Sequence, residues 1–256
     1  MIVSPALLQV QDLELHFGGV YAIQGLSLDV DPEEMIGIIG PNGAGKTTLL
    51  NCISGVYRPT SGRVIFDGNK IDGLPAHKTA GRGIARTFQI AESFRSFTVL
   101  DYVLLGRTAW RPHSLWLCGA ALPSVRRADR KQVSLASDLI EKYNLSEFRN
   151  TQLRELPYGH QKLADIVRAL AAEPRLLLLD EPTSGSSAEE RLLLRDVMHE
   201  LRVAKITTII VDHEVGFISA CCNRVLAMAT GRQIGVGTPA EVLALPEVID
   251  SYLGQR

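Results

Sequence analysis

The sequence predicts an α/β protein with a core on a mainly parallel sheet, an antiparallel β part near the N-terminus and a helical subdomain inserted in the middle. Three observations carry this. Short apolar runs that suit buried strands, "MIGIIG" (35–40), "RLLLLD" (175–180) and "ITTIIVD" (206–212), alternate with stretches of helical period. The first third is strand-like, with partial apolar/polar alternation in "LLQVQDLEL" (7–15) and "LSLDV" (26–30). From Thr98 to about Tyr143 the period turns helical, with Val133, Ala136, Leu139, Ile140 and Tyr143 on one stripe.

Taken in order, the strand 35–40 ends in glycine and a helix follows from Lys46 to about Ser54. "GRVIFDG" (62–68) reads as strand and turn, and "GIARTFQ" (83–89) as another strand. An irregular stretch, 108–125, separates two helices of the middle segment. A helix starts at 158 behind a proline and presents Leu163, Ile166, Val167 and Leu170 on one face. After the strand 175–180, residues 188–203 are helical, with Ser187 and Glu190 as an S-x-x-E capping box. A helix at 214–221 and strands at 224–229 and 232–237 complete the pattern. The expected organisation is a single domain, its core formed by 1–89 and 160–256 and its helical subdomain by about 90–159.

The chain has 256 residues, room for one large domain or a core plus a small subdomain. Its net charge is −1, without the basic excess of a nucleic-acid binder, and none is expected as a partner. Cys52, Cys118, Cys221 and Cys222 lack metal-ligand spacing with histidine and read as reduced thiols of a cytosolic protein. Residues 1–25 lack a basic start followed by a long apolar run, so no signal peptide is expected. No stretch reaches 18 apolar residues, so the chain is not expected to span a membrane by itself.

"GPNGAGKT" (40–47) fits G-x-x-x-x-G-K-[ST] between an apolar strand and a helix. Glycines let backbone N–H groups wrap phosphates, and the helix N-terminus adds partial positive charge. Gly40, Pro41, Asn42, Gly43, Ala44, Gly45, Lys46, Thr47 and Thr48 are therefore candidate residues for binding a nucleotide's phosphates. Lys46 reaches the β- and γ-phosphates and Thr47 ligates Mg²⁺. "RLLLLDEP" (175–182) delivers Asp180 and Glu181 to the C-terminal end of a strand, where ligands sit in open α/β sheets. Asp180 is expected to hold Mg²⁺ through water, and Glu181 to be the base that orients the attacking water. "NKID" (69–72) imitates a guanine-reading motif, but it falls in a turn only 22 residues after Thr47, too early for a GTPase.

With these motifs in this order, the chain resembles the ATP-binding subunit of ABC transporters from about residue 8 to 254. The resemblance implies further roles. Phe17, in "HFGG", sits where the family stacks an aromatic on adenine. Gln89, in "RTFQ", matches the glutamine that reaches Mg²⁺ and the attacking water. His213, in "IIVDHE", matches the switch histidine at the γ-phosphate. "LPYGHQ" (156–161) lies where the family has its L-S-G-G-Q signature, a helix N-terminus aimed at a nucleotide held by a second subunit. Tyr158, Gly159, His160 and Gln161 are the candidate contacts there, and a dimer of ATPase subunits, homo- or heteromeric, is implied.

Two departures stand out. Pro157 replaces the signature serine, which removes a hydroxyl donor, while a proline still suits a helix start and pushes Leu156 into an extended conformation. His160 is a possible replacement donor. "SGSS" (184–187) lacks the usual Leu and Asp or Asn of a loop that couples the two ATP sites. "FGGVYAIQGLSL", "FTVLDYVLLG", the tyrosine in the signature and "PEVIDSYLG" are similar to the subgroup serving branched-chain amino acid importers. The resemblance thus implies an ATP hydrolase that powers uptake of branched-chain amino acids or a related small polar solute. It would lie peripherally on the cytoplasmic side of a prokaryotic membrane. Its partners would be transmembrane permease subunits and, indirectly, an extracytoplasmic solute-binding protein. A soluble ABC ATPase and a weakly catalytic regulatory subunit are the alternatives. The helical subdomain is the expected permease dock, with Trp110 and Trp116 either near it or packed on their own subdomain. "RRADRK" (126–131) reads as a solvated helix face.

Overall fold

The computed structural model describes residues 6–88, 90–108 and 123–253. Gln89, Trp110, Trp116 and Cys118 lie outside the described residues. Ten strands are formed among them: β1 Leu8–Phe17, β2 Val20–Val30, β3 Met35–Ile39, β4 Ser61–Phe66, β5 Asn69–Lys70, β6 Ile84–Arg86, β7 Leu176–Asp180, β8 Thr207–Val211, β9 Arg224–Ala229 and β10 Arg232–Gly237. The helices are α1 Lys46–Ile53, α2 Ala76–Ala80, α3 Val99–Gly106, α4 Pro123–Lys142, α5 Tyr158–Leu170, α6 Ala188–Val203, α7 Val215–Cys221, α8 Pro239–Leu243 and α9 Pro246–Leu253.

The chain folds as two compact units. The first comprises 1–86, 175–184 and 191–256. Its six-stranded sheet runs β10-β9-β3-β8-β7-β6, parallel except at the β9–β10 hairpin. The apolar runs of the sequence become the inner strands β3, β7 and β8, buried almost throughout, as strands covered on both faces require. Register places Ile36 and Leu178 on either side of Ile209. Leu49, Leu50 and Ile53 of α1 belong to the same buried cluster as these residues. Fully burying one such side chain stabilises the fold by roughly 1.5–3 kcal/mol. A second, antiparallel sheet runs β2-β1-β4-β5. Both sheet types therefore match the sequence pattern.

Several bounds shift. The expected strand 83–89 stops at Arg86, because Phe88 N–H bonds Asp165 Oδ2 at 2.7 Å and not a neighbouring strand. "NKID" is not a simple turn: Asn69 and Lys70 pair with β4 as an edge strand, and Asp72 accepts from Val64 N–H at 3.2 Å. Three short helices, α2, α8 and α9, lack a periodic signal long enough to be read. α8 is nevertheless well specified, with Thr238 and Glu241 forming a capping box around a proline.

The second unit comprises 87–174 and 185–190, wider than the expected 90–159. It takes in all of α5, because α5 packs against α3. Gly106 makes that packing close: a Cβ there would lie 2.0 Å from Arg168 O. Asp165 of α5, 2 % exposed, accepts from Phe88 N–H, from Tyr102 Oη (2.8 Å) and from Arg168 Nε (2.8 Å). Burial, then this carboxylate, pushes the Tyr102 phenol up. Buried Arg107 donates to Gln132 Oε1 at 2.7 Å, Ala171 O at 2.9 Å and Glu173 Oε1 at 2.5 Å. Within α4, Ala136 and Ile140 are buried, as is Tyr143 just beyond it, while Asp129, Arg130 and Lys131 are exposed. Cys52, Cys221 and Cys222 are buried free thiols, the first pushed by burial to about 12. No helix among the described residues is long and apolar enough to cross a membrane.

Candidate functional site

The loop 40–45 leaves β3 at the C-terminal edge of the sheet and enters α1 at Lys46. Its path demands glycine at both ends. Gly40 has φ +149°, and a Cβ there would lie 2.1 Å from Met228 O; Gly45 has φ +97°, and its Cβ would lie 2.5 Å from Ala22 O. Lys46 is 5 % exposed, and its Nζ donates to Gly40 O at 2.7 Å and Pro41 O at 2.9 Å. Burial lowers its pKa, while the nearby Glu181, Asp180 and Asp212 carboxylates work against that shift. An ammonium held only by neutral carbonyls has a stronger acceptor available in any phosphate oxygen placed on the loop. The cradle therefore fits a polyphosphate.

β7 ends in Asp180 beside this loop. Thr47 Oγ1 donates to Asp180 Oδ1 at 3.2 Å. Asp180 Oδ2 is held at 2.8 Å by Arg86 from the end of β6. The same guanidinium donates to Asn51 Oδ1 (2.6 Å) and Ser54 Oγ (3.1 Å) of and just after α1. Arg86 is thus a buried clamp across three elements, and the sequence reading missed it. An arginine in a short strand carries no spacing signal of its own.

Glu181 follows with φ +48°, a left-handed conformation that costs a non-glycine residue on the order of 1–3 kcal/mol. Its N–H donates to Val211 O at 2.7 Å, which fixes the turn. The next segment is pinned by Asp212, which is fully buried. Asp212 Oδ2 accepts from Thr183 N–H (3.0 Å) and Thr183 Oγ1 (2.8 Å), and its Oδ1 from Glu214 N–H (3.0 Å). His213 Nδ1 lies 3.6 Å from Asp212 Oδ1, with its side chain 51 % exposed. Asp212 and Thr183 were also missed; their neighbours carried the motif and they did not. Phe17 is 51 % exposed at the end of β1 and stands edge-on to Tyr57 at 5.3 Å between centroids. Among the described residues, no group of three or more His, Cys, Asp and Glu is placed to hold a metal.

In the second unit, "LPYGHQ" begins α5. Leu156 is extended (φ −75°, ψ 148°) and Pro157 is the N-cap with no side-chain cap, as the proline requires. Gln161 N–H closes the first turn onto Pro157 O at 3.0 Å, and Gln161 Nε2 donates to Leu156 O at 3.0 Å. Tyr158 is exposed and Gly159 buried. Two of the candidate contacts are engaged within the chain. His160, considered as a replacement donor at the helix front, stands its ring edge-on to Phe148 at 4.8 Å with Nδ1 buried and unpartnered. Gly159 N–H, expected to be open to a ligand, donates to Glu190 Oε1 at 2.6 Å. The Ser187/Glu190 capping box forms as expected: Glu190 N–H donates to Ser187 Oγ (3.2 Å), and Ser187 N–H to Glu190 Oε2 (2.7 Å).

A glycine loop closing on a buried lysine, a threonine paired to a strand-end aspartate and a strained glutamate beside it define a phosphate-loop nucleotide-binding protein of the α/β class. Residues 23–184 match the ABC transporter family, and the chain belongs to that family as one of its ATP-hydrolysing cassettes. It is 35 % identical over 254 residues to the high-affinity branched-chain amino acid transport ATP-binding protein BraF of Pseudomonas aeruginosa, covering 98 % of this chain and 99 % of that one. It is 35 % identical over 253 residues to the corresponding protein LivG of Escherichia coli, with the same coverage. A crystal structure of the ADP conformation of an ATP-binding cassette of an ABC transporter superposes with a TM-score of 0.83, at 28 % identity, covering 98 % of this chain and all of that one.

Proposed function

We propose that this chain is the ATP-hydrolysing subunit of a prokaryotic importer for branched-chain amino acids or a related small polar solute. It works at the cytoplasmic face of the membrane, closed against a second ATPase subunit and coupled to transmembrane permease subunits that an extracytoplasmic solute-binding protein supplies. The observation that carries this reading is the 35 % identity to BraF and LivG along nearly the whole chain.

The chain's own residues have separable tasks. The loop 40–48 holds the phosphates of ATP through backbone N–H groups, and Lys46 moves its ammonium from Gly40 O and Pro41 O onto the β- and γ-oxygens. Phe17 stacks on the adenine. Thr47 would hold Mg²⁺ directly and Asp180, which accepts from the Thr47 hydroxyl, would hold it through water. When bound, Mg²⁺ neutralises charge on the transferred phosphoryl group. Glu181 orients and deprotonates the attacking water, with Gln89 and His213 at the same phosphate. The bond from Glu181 N–H to Val211 O holds the backbone that carries this side chain. From a second subunit, residues 158–161 present a helix N-terminus to the γ-phosphate.

The test is reconstitution of this chain with its permease subunits in vesicles, followed by ATPase and labelled leucine uptake. Solute-loaded binding protein should raise ATP turnover and drive uptake. A chain that hydrolyses ATP yet does not assemble with permease, or an assembled transporter indifferent to every branched-chain amino acid, overturns the corresponding half of the reading.

A further inference from the structure

Glu190, three residues into α6, reaches back to the front of α5. One carboxylate oxygen accepts from Gly159 N–H at 2.6 Å and the other from Ser187 N–H at 2.7 Å. The fit is close: a Cβ on Gly159 would fall within 2.5–2.6 Å of Glu190 Cγ, Cβ and Cδ. Only glycine at 159 lets the carboxylate seat itself there. Beside it, Tyr158 covers Gly185, whose Cβ would lie 2.9 Å from the ring. The amides of Ser187 and Gly159 hold the Glu190 carboxyl below the usual carboxylate range, so it is an anion at neutral pH.

An anion on the first turn of a helix satisfies both its open N–H groups and its dipole. A phosphate satisfies the same two demands. One N–H cannot serve a carboxylate and a phosphate oxygen at full strength together, and two anions at contact distance repel. We infer that Glu190 is a resident anion on the signature amide: its carboxylate occupies Gly159 N–H within the chain and must release it before a second subunit's ATP can be engaged. This rests on the proposed reading that the front of α5 faces that ATP. Glu190 then acts on nucleotide capture through the Gly159 amide and takes no part in the hydrolytic step, and its release ties the loop 184–187 to that capture. Apparent ATP affinity is lowered by the fraction of chains whose amide is taken.

The experiment uses the assembled transporter and separates KM for ATP from kcat. Glu190→Ala should lower KM about tenfold, the scale of one charge-assisted hydrogen bond net of solvent, without loss of kcat. Ser187→Ala removes the capping hydroxyl but leaves the Glu190–Gly159 bond, so its KM should stay at the wild-type value. If Glu190→Ala does not assemble, Glu190→Gln keeps the volume, removes the charge and should lower KM in the same direction. A KM that is unchanged or raised in the Glu190 variants, or one that falls equally in Ser187→Ala, overturns the inference. The underlying reading is tested apart from it by Pro157→Cys: ATP should protect that thiol from labelling in the assembled transporter. Absence of protection overturns the reading whatever the Glu190 variants do.

Discussion

Replacing Arg86 by methionine tests the clamp that positions Asp180. The guanidinium is 5 % exposed and the Asp180 side chain 17 %, with 2.8 Å between Nη2 and Oδ2. Methionine keeps most of the length and apolar volume but removes the donors to Asp180, Asn51 and Ser54. Removing one partner of a buried ion pair typically costs about 3–5 kcal/mol. Asp180 keeps some hydration and the Thr47 hydroxyl, which places the loss at the lower end, about 3 kcal/mol. For a chain of this size that lowers the melting temperature by about 6–12 °C. The assay is urea unfolding of the nucleotide-free chain, run as a cycle with Asp180→Asn and the double variant. The coupling between the two positions should reach about 2 kcal/mol. In the assembled transporter, the Mg²⁺ concentration for half-maximal ATPase should rise, because Asp180 loses its fixed orientation toward Thr47. A coupling energy under about 0.5 kcal/mol would refute the argument that this pair, and not packing alone, holds the aspartate.

Three further outcomes follow from the same geometry. Lys46→Met should abolish ATP turnover yet leave the unfolding midpoint nearly unchanged, because burial already disfavours the ammonium and its hydrogen-bond partners are two neutral carbonyls, so no hydrogen-bonded counter-charge is left behind; a large loss of stability in urea would contradict this. Glu181→Gln should retain ATP binding, measured with a fluorescent nucleotide, while hydrolysis nearly vanishes; unchanged hydrolysis sinks the base assignment. Pro157→Ser should raise turnover by no more than about a hundredfold, since the restored hydrogen bond to a charged acceptor is worth about 1.5–3 kcal/mol. A rise of several orders of magnitude would mean that the native signature is almost inert.

What could be read in advance was whatever repeats locally. "MIGIIG", "RLLLLD" and "ITTIIVD" carry a continuous apolar run because both faces of their sheet are covered, and all three became inner strands. α6 was read at its observed bounds because Ser187 and Glu190 mark its start. The strand at 83–89 was read too long because its composition does not reveal that Phe88 N–H finds Asp165, 77 residues away. The sequence offers His160 as a donor because nothing local shows that Phe148, twelve residues earlier, packs edge-on with its ring.

The sequence by itself determined the phosphate loop, the acidic strand end and the order of the longer strands and helices, since each is specified by spacing within a few residues. Tertiary structure alone decided which polar groups meet the charges. Arg86 finds Asp180 across 94 residues, and Glu190 finds Gly159 across 31. Such pairs leave no local periodicity, because their cause is the convergence of strand ends and helix starts in space. A carboxylate read only as a helix cap thus turns out to sit on the amide that the proposed reaction needs.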